Sequence, residues 1–117
     1  MRLLMSLADY GRYRVLTVAG EIDLLTTGRF RETLFRAVEG KSTPVLVDMS
    51  NVAFCDSSCL NAVTAVHNRV AARGQQLALF APSRHVQKVF RITRLDQVIR
   101  IYPSLDAAIA GTCPASG

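Results

Sequence analysis

Two hydrophobic periods alternate along the chain. Over residues 13–19 the pattern repeats every second position, with Tyr13, Val15 and Thr17 on one side and Arg14, Leu16 and Val18 on the other, which predicts a strand. Residues 2–8 predict a partner strand, and Asp9-Tyr10-Gly11-Arg12 between the two has the composition of a hairpin turn. Gly20-Glu21-Ile22-Asp23 is then expected to leave the sheet. The period lengthens to that of a helix capped by Thr26 or Thr27 and running to about Glu39, where Phe30, Leu34, Ala37 and Val38 form one stripe and Gly40 supplies the stop. Val45-Leu46-Val47 and Leu77-Ala78-Leu79-Phe80 are continuous apolar runs, as in strands buried on both faces of a parallel sheet. Between them, Leu60, Val63, Val66, His67 and Val70 mark a helix from Ser57 to about Arg73, ended by Gly74. Ser83 is placed to cap a helix carrying Val86, Val89 and Phe90. Residues 98–102 predict a last short strand, and Ser104 caps a helix reaching Ala110.

The order is therefore ββαβαβαβα. Strands that alternate with helices require crossover connections. The expected fold is a single α/β domain over residues 1–110, with a four- to five-stranded, mostly parallel sheet. Its first strand adds antiparallel at an edge, and about four helices pack on the sheet. Residues 111–117 have turn composition and are expected to form a flexible C-terminal tail.

Charge narrows the partners. The net charge of +5 comes almost wholly from arginine, since Lys41 and Lys88 are the only lysines. The arginines are scattered from Arg2 to Arg100 without a run of three, and the closest groupings are Arg12/Arg14, Arg29/Arg31/Arg36 and Arg91/Arg94. Such scatter argues against a dedicated nucleic-acid surface, so no direct nucleic-acid partner is expected. No apolar run approaches the roughly 18 residues that span a bilayer, and the N-terminal Leu3-Leu4-Met5 and Leu7-Ala8 are too short for a signal segment. An odd set of cysteines, Cys55, Cys59 and Cys113, fits a reducing compartment. A cytoplasmic location away from membranes follows as the expectation.

Catalytic patterns fail on spacing. The chain has neither a glycine-rich phosphate loop nor a G-x-S-x-G elbow. Ser58 and His67 share a predicted helix, but nine residues put them on opposite faces and about 13 Å apart along the axis. Cys55 and Cys59 find no completing ligand spacing in His67 or His85, so neither a metal nor another cofactor is expected. Cys59 falls in a helical first turn, where the dipole can lower a thiol pKa, although a small buried packing residue is the simpler reading. What remains is the junction Asp56-Ser57-Ser58. One of these side chains suffices as the helix cap, which leaves at least one hydroxyl at the positive end of the dipole, a favourable place for a phosphate. The chain is expected to act by binding rather than as an enzyme.

Three segments resemble the STAS family, specifically the bacterial anti-sigma factor antagonists. They are Gly20-Glu21-Ile22-Asp23, then Val45-Leu46-Val47-Asp48 followed by Phe54-Cys55-Asp56-Ser57-Ser58-Cys59-Leu60, and finally Phe90-Arg91-Ile92-Thr93-Arg94-Leu95 with Ile101-Tyr102 and Ala107-Ala108. The resemblance implies a STAS fold and phosphorylation of the second hydroxyl of the pair, Ser58. The kinase would be the anti-sigma factor itself, bound by the unphosphorylated antagonist, which thereby frees sigma. Phosphorylation would end binding, and a serine phosphatase would reset the switch. Asp23, Asp56, Ser57, Ser58, Cys59 and Asn61 are the partner-binding residues so implied, on a monomer or weak dimer. The alternative is a STAS module without phosphoregulation, serving as a subunit of a transporter or signalling assembly. Two positions depart from the family pattern: Cys59 stands where Gly or Ala is usual, and Arg94 where Gly is usual. If the backbone at Arg94 has positive φ, a side chain there is strained.

Overall fold

The computed structural model describes residues 2–40 and 43–112. The elements run β1 (Leu3–Tyr10), β2 (Tyr13–Ile22), α1 (Thr27–Val38), β3 (Val45–Cys55), α2 (Ser57–Ala71), β4 (Leu77–Phe80), α3 (Arg84–Ile92), β5 (Arg100–Tyr102) and α4 (Leu105–Gly111). The five strands form one sheet in the order β1-β2-β3-β4-β5. β1 pairs antiparallel with β2, and every later pair is parallel. Because the strands advance in one direction and crossovers are right-handed, three successive connecting helices must fall on the same face.

The packing follows from that rule. Phe30 and Leu34 of α1, Val63 and Val66 of α2, and Val86 and Phe90 of α3 share one core with Leu16, Val18, Val45, Val47 and Leu79 of the sheet. The alternate strand residues Leu46, Ala78 and Phe80 point the other way and pack with Ala108 of α4, together with Tyr13 and Val15. The continuous apolar runs at 45–47 and 77–80 are thus buried from both sides, as the sequence predicts.

The largest departure lies in the middle of the sheet. β2 does not end at Ala19 but continues through Gly20-Glu21-Ile22, and β3 does not end at Val47 but runs eleven residues to Cys55. The pairing register slips between Thr17 and Ala19 and again between Gly20 and Glu21, so that β3 carries extra residues opposite β2. Beyond Met49 its buried positions are Val52 and Cys55, three apart rather than two. That spacing hides a strand from any reading based on strict alternation. Asp48 supports the irregularity by accepting hydrogen bonds from the Ser50 backbone N–H at 2.9 Å and its hydroxyl at 2.7 Å. Gly20 is required on the other side: its φ is +117°, and a Cβ there would lie 2.1 Å from the Arg2 carbonyl oxygen.

Smaller departures concern ends. α2 stops at Ala71 rather than Arg73, and residues Leu95–Gln97 form a 3₁₀ turn before a shorter last strand that begins at Arg100. Arg94 sits at the left-handed position between α3 and that turn, with φ of +64°, so the strain expected there is present. Gly111 and Thr112, placed with the tail by composition, belong to the fold: Gly111 ends α4 and accepts a hydrogen bond from the Tyr102 hydroxyl at 3.1 Å. Thr112 is buried, and its carbonyl accepts from the Tyr13 hydroxyl at 2.8 Å. The rest of the expected tail, with Cys113, lies outside the described residues.

Candidate functional site

The extension of β2 and β3 builds the site. Pairing persists to Ile22 opposite Cys55, and the Asp56 N–H then donates to the Ile22 carbonyl at 3.1 Å. The chain consequently turns into α2 directly beside the loop that enters α1. Thr27 at the first turn of α1 donates its hydroxyl to the Ser58 carbonyl at 3.2 Å, tying the two helix starts together.

Asp56 is the N-cap of α2, in extended backbone conformation. Its Oδ1 accepts the Ser58 backbone N–H at 2.8 Å, which satisfies one of the free donors of the first turn. The same oxygen accepts the Ser58 hydroxyl at 2.5 Å. One carboxylate therefore caps the helix and fixes the rotamer of Ser58, whose Oγ keeps its lone pairs for another group. Ser58 is half-buried, whereas Ser57 and Asn61 are exposed on the same turn and the next.

Asp23 has a comparable role in the loop that enters α1. Its Oδ1 accepts from the backbone N–H groups of Leu25 at 2.9 Å and Thr26 at 3.1 Å, and its other oxygen forms an ion pair with Arg2. Thr26 stands at the N-cap position of α1 but makes no side-chain cap. Its buried hydroxyl instead donates to the Glu21 carbonyl at 2.8 Å and accepts from the Asp23 N–H at 2.9 Å.

Cys59 does not reach the surface. It is 1% exposed beneath the first turn, with the Cys55 thiol against it. The hydrogen bond with Cys55, and then burial, push the Cys59 thiol well above its ordinary pKa. Cys59 is thus a small packing residue under the first turn. His67 and His85 do not converge on the hydroxyls: His85 stacks on Phe54 with centroids 6.0 Å apart, and His67 lies further along α2. Among the described residues no cluster of His, Cys, Asp and Glu could hold a metal ion. No helix among them is long and apolar enough to cross a membrane.

Sequence reasoning missed the apolar rim. Leu24 and Leu25, in the loop entering α1, are 81% and 80% exposed, and Phe54 at the end of β3 is 41% exposed. Adjacent leucines that break the helical stripe before Thr27 were the available signal.

The profile of the STAS domain family matches residues 5–108. The anti-sigma-F factor antagonist RsfB of Mycobacterium tuberculosis is 25% identical over 107 residues, 92% of this chain and 87% of that protein. An anti-sigma-B factor antagonist of Listeria monocytogenes is 31% identical over 86 residues, 72% of this chain and 74% of that one. The crystal structure of an anti-sigma factor antagonist from Mycobacterium paratuberculosis superimposes with a TM-score of 0.83 at 25% identity, covering 93% of this chain and 92% of that one.

Proposed function

The chain belongs to the STAS domain family, and on that premise we propose that it is an anti-sigma factor antagonist switched by phosphorylation at Ser58. The unphosphorylated form binds an anti-sigma factor with serine kinase activity and so frees sigma. The phosphorylated form releases it until a serine phosphatase removes the group. The observation that carries this reading is the hydroxyl of half-buried Ser58, in the first turn of α2 and oriented by Asp56 at 2.5 Å.

The chemistry is local. Forming the phosphate ester removes the proton that Ser58 donates to Asp56 and adds about −1.5 to −2 charges. The helix dipole favours that charge, so the domain keeps its fold. The partner bears the effect, because its surface against Ser57, Ser58 and Asn61 must accept both charge and bulk. A loss of about 3–4 kcal/mol, two to three decades in affinity, is enough for a switch. Leu24, Leu25 and Phe54 supply the apolar part of the docking surface, with Asp23 and Asp56 shaping its backbone and Cys59 supporting it from below.

The test is incubation of the purified protein with candidate anti-sigma kinases and ATP, read by intact mass and peptide mapping. One added phosphate on Ser58, absent from Ser58→Ala, is the expected result. If no kinase of the source organism transfers phosphate, the reading passes to an unregulated STAS module within a larger assembly.

A further inference from the structure

The arginines that look scattered in sequence gather in space. α1, α2 and α3 lie on one face of the sheet. With the residues flanking their ends, these helices carry Arg29, Arg31, Arg36, Arg69, Arg73, Arg84, Lys88, Arg91 and Arg94, all nine exposed, against Glu32, Glu39 and the capping Asp56. The rest of the sequence has five cations against six carboxylates. The excess positive charge of the chain therefore belongs to this one helical layer.

Its centre is structured. The guanidinium carbons of Arg31 on α1 and Arg69 on α2 lie over the ring of Phe35, 5.5 and 5.1 Å from its centroid. Phe35, Val38, Glu39, Arg69 and Arg73 line a groove of about 240 Å³ between the two helices. Arg73 is held there by the Val38 carbonyl at 2.9 Å and Gln75 Oε1 at 2.6 Å. Among the described residues, Arg36 with Glu32 is the ion pair made within this layer, while Arg31 and Arg69 have neither a carboxylate nor a hydrogen bond. Bringing two cations onto one ring opposes their mutual repulsion, and the ring's quadrupole offsets some of that cost. Each guanidinium keeps its N–H edge free for a planar, bidentate acceptor.

We propose that the α1–α3 layer, centred on Arg31, Phe35 and Arg69, docks an acidic segment of a protein partner through its carboxylates. Nucleic acid fits less well. Base stacking needs an open aromatic face. Phe35 packs against the core beneath two guanidiniums, Phe30 and Phe90 are buried, and the exposed ring of His85 on α3 is already stacked on Phe54. Arg69 is about 16 Å along α2 from Ser58 by the helical rise. This surface is thus separate from the phosphorylation site and does not depend on it.

A fluorescein-labelled oligoglutamate peptide, titrated with the protein and followed by anisotropy, tests the proposal. Binding at low ionic strength should weaken steeply with added salt. It should fall at least about tenfold in Arg31→Ala/Arg69→Ala and stay within about twofold in the charge-matched pair Arg12→Ala/Arg100→Ala. Equal loss in both pairs, or no binding, overturns the proposal. So does tighter binding of oligothymidylate or of phosphatidylglycerol vesicles that is lost in the first pair. Amide shifts of the unaltered protein during the same titration give a readout independent of the variants. They should centre on α1 and α2, and shifts centred on Ser58 or α4 overturn the proposal.

Discussion

The two helix starts at the top of the sheet are built from the same residue types and do different work. Each has an aspartate followed within three residues by a hydroxyl: Asp23 with Thr26 at α1, and Asp56 with Ser58 at α2. At α1 Thr26 is 5% exposed, and its hydroxyl spends itself on the backbone of Glu21 and Asp23. At α2 Ser58 is only half-buried, and its hydroxyl turns to the carboxylate of its own cap. An identical pair of functional groups is a structural clamp where the turn is covered and, in the function proposed above, the phosphate acceptor where it is not. Burial decides between them, not residue identity.

That difference can be broken deliberately. Ser58→Asp places a permanent charge on the open start and should lower affinity for the anti-sigma partner by two to three decades, about 3–4 kcal/mol, in calorimetric titration. Ser58→Ala should retain binding but accept no phosphate. Affinity unchanged in Ser58→Asp would remove the functional distinction between the two starts.

Thr26→Val acts on the closed start. It strands the Glu21 carbonyl and the Asp23 N–H without their hydroxyl, and should cost about 1–3 kcal/mol in chemical denaturation. Phosphate transfer to Ser58 in the folded fraction should be unaffected. Asp56→Ala removes the cap of α2 and should cost about 1 kcal/mol. Unlike Thr26→Val it should also slow phosphorylation, because Ser58 loses the group that orients it. If both variants change stability alone, Asp56 is a cap and nothing more.

The smallest effect lies away from both starts. Arg94 holds a left-handed backbone at φ of +64°. Arg94→Gly should relieve that strain and raise stability by about 0.5–1 kcal/mol, after the greater chain entropy of glycine is counted. A drop in the melting temperature instead would show that the Arg94 side chain contributes contacts that outweigh the backbone strain.

Much of this architecture was legible in the residues alone. The stripe Phe30, Leu34, Ala37, Val38 marked α1, and the runs at 45–47 and 77–80 marked buried parallel strands. Ser83 and Ser104 cap their helices through the N–H groups of Val86 and Ala107. The Asp56-Ser57-Ser58 junction stood out as a helix start with a hydroxyl to spare. Residues 49–55 did not read as strand, because their buried positions follow the slipped pairing with β2 and not a period of their own.

Sequence by itself determined what depends on near neighbours: the elements, their order, and the caps at Ser83 and Ser104. These rest on interactions within a few residues, where a pattern of side chains and a backbone preference suffice. Tertiary structure alone decided which of the two hydroxyl residues is covered, that Leu24 and Leu25 are exposed, and that arginines far apart in the chain share one face. Each of those outcomes depends on what another segment covers, and coverage is a property of packing between elements that no local pattern contains.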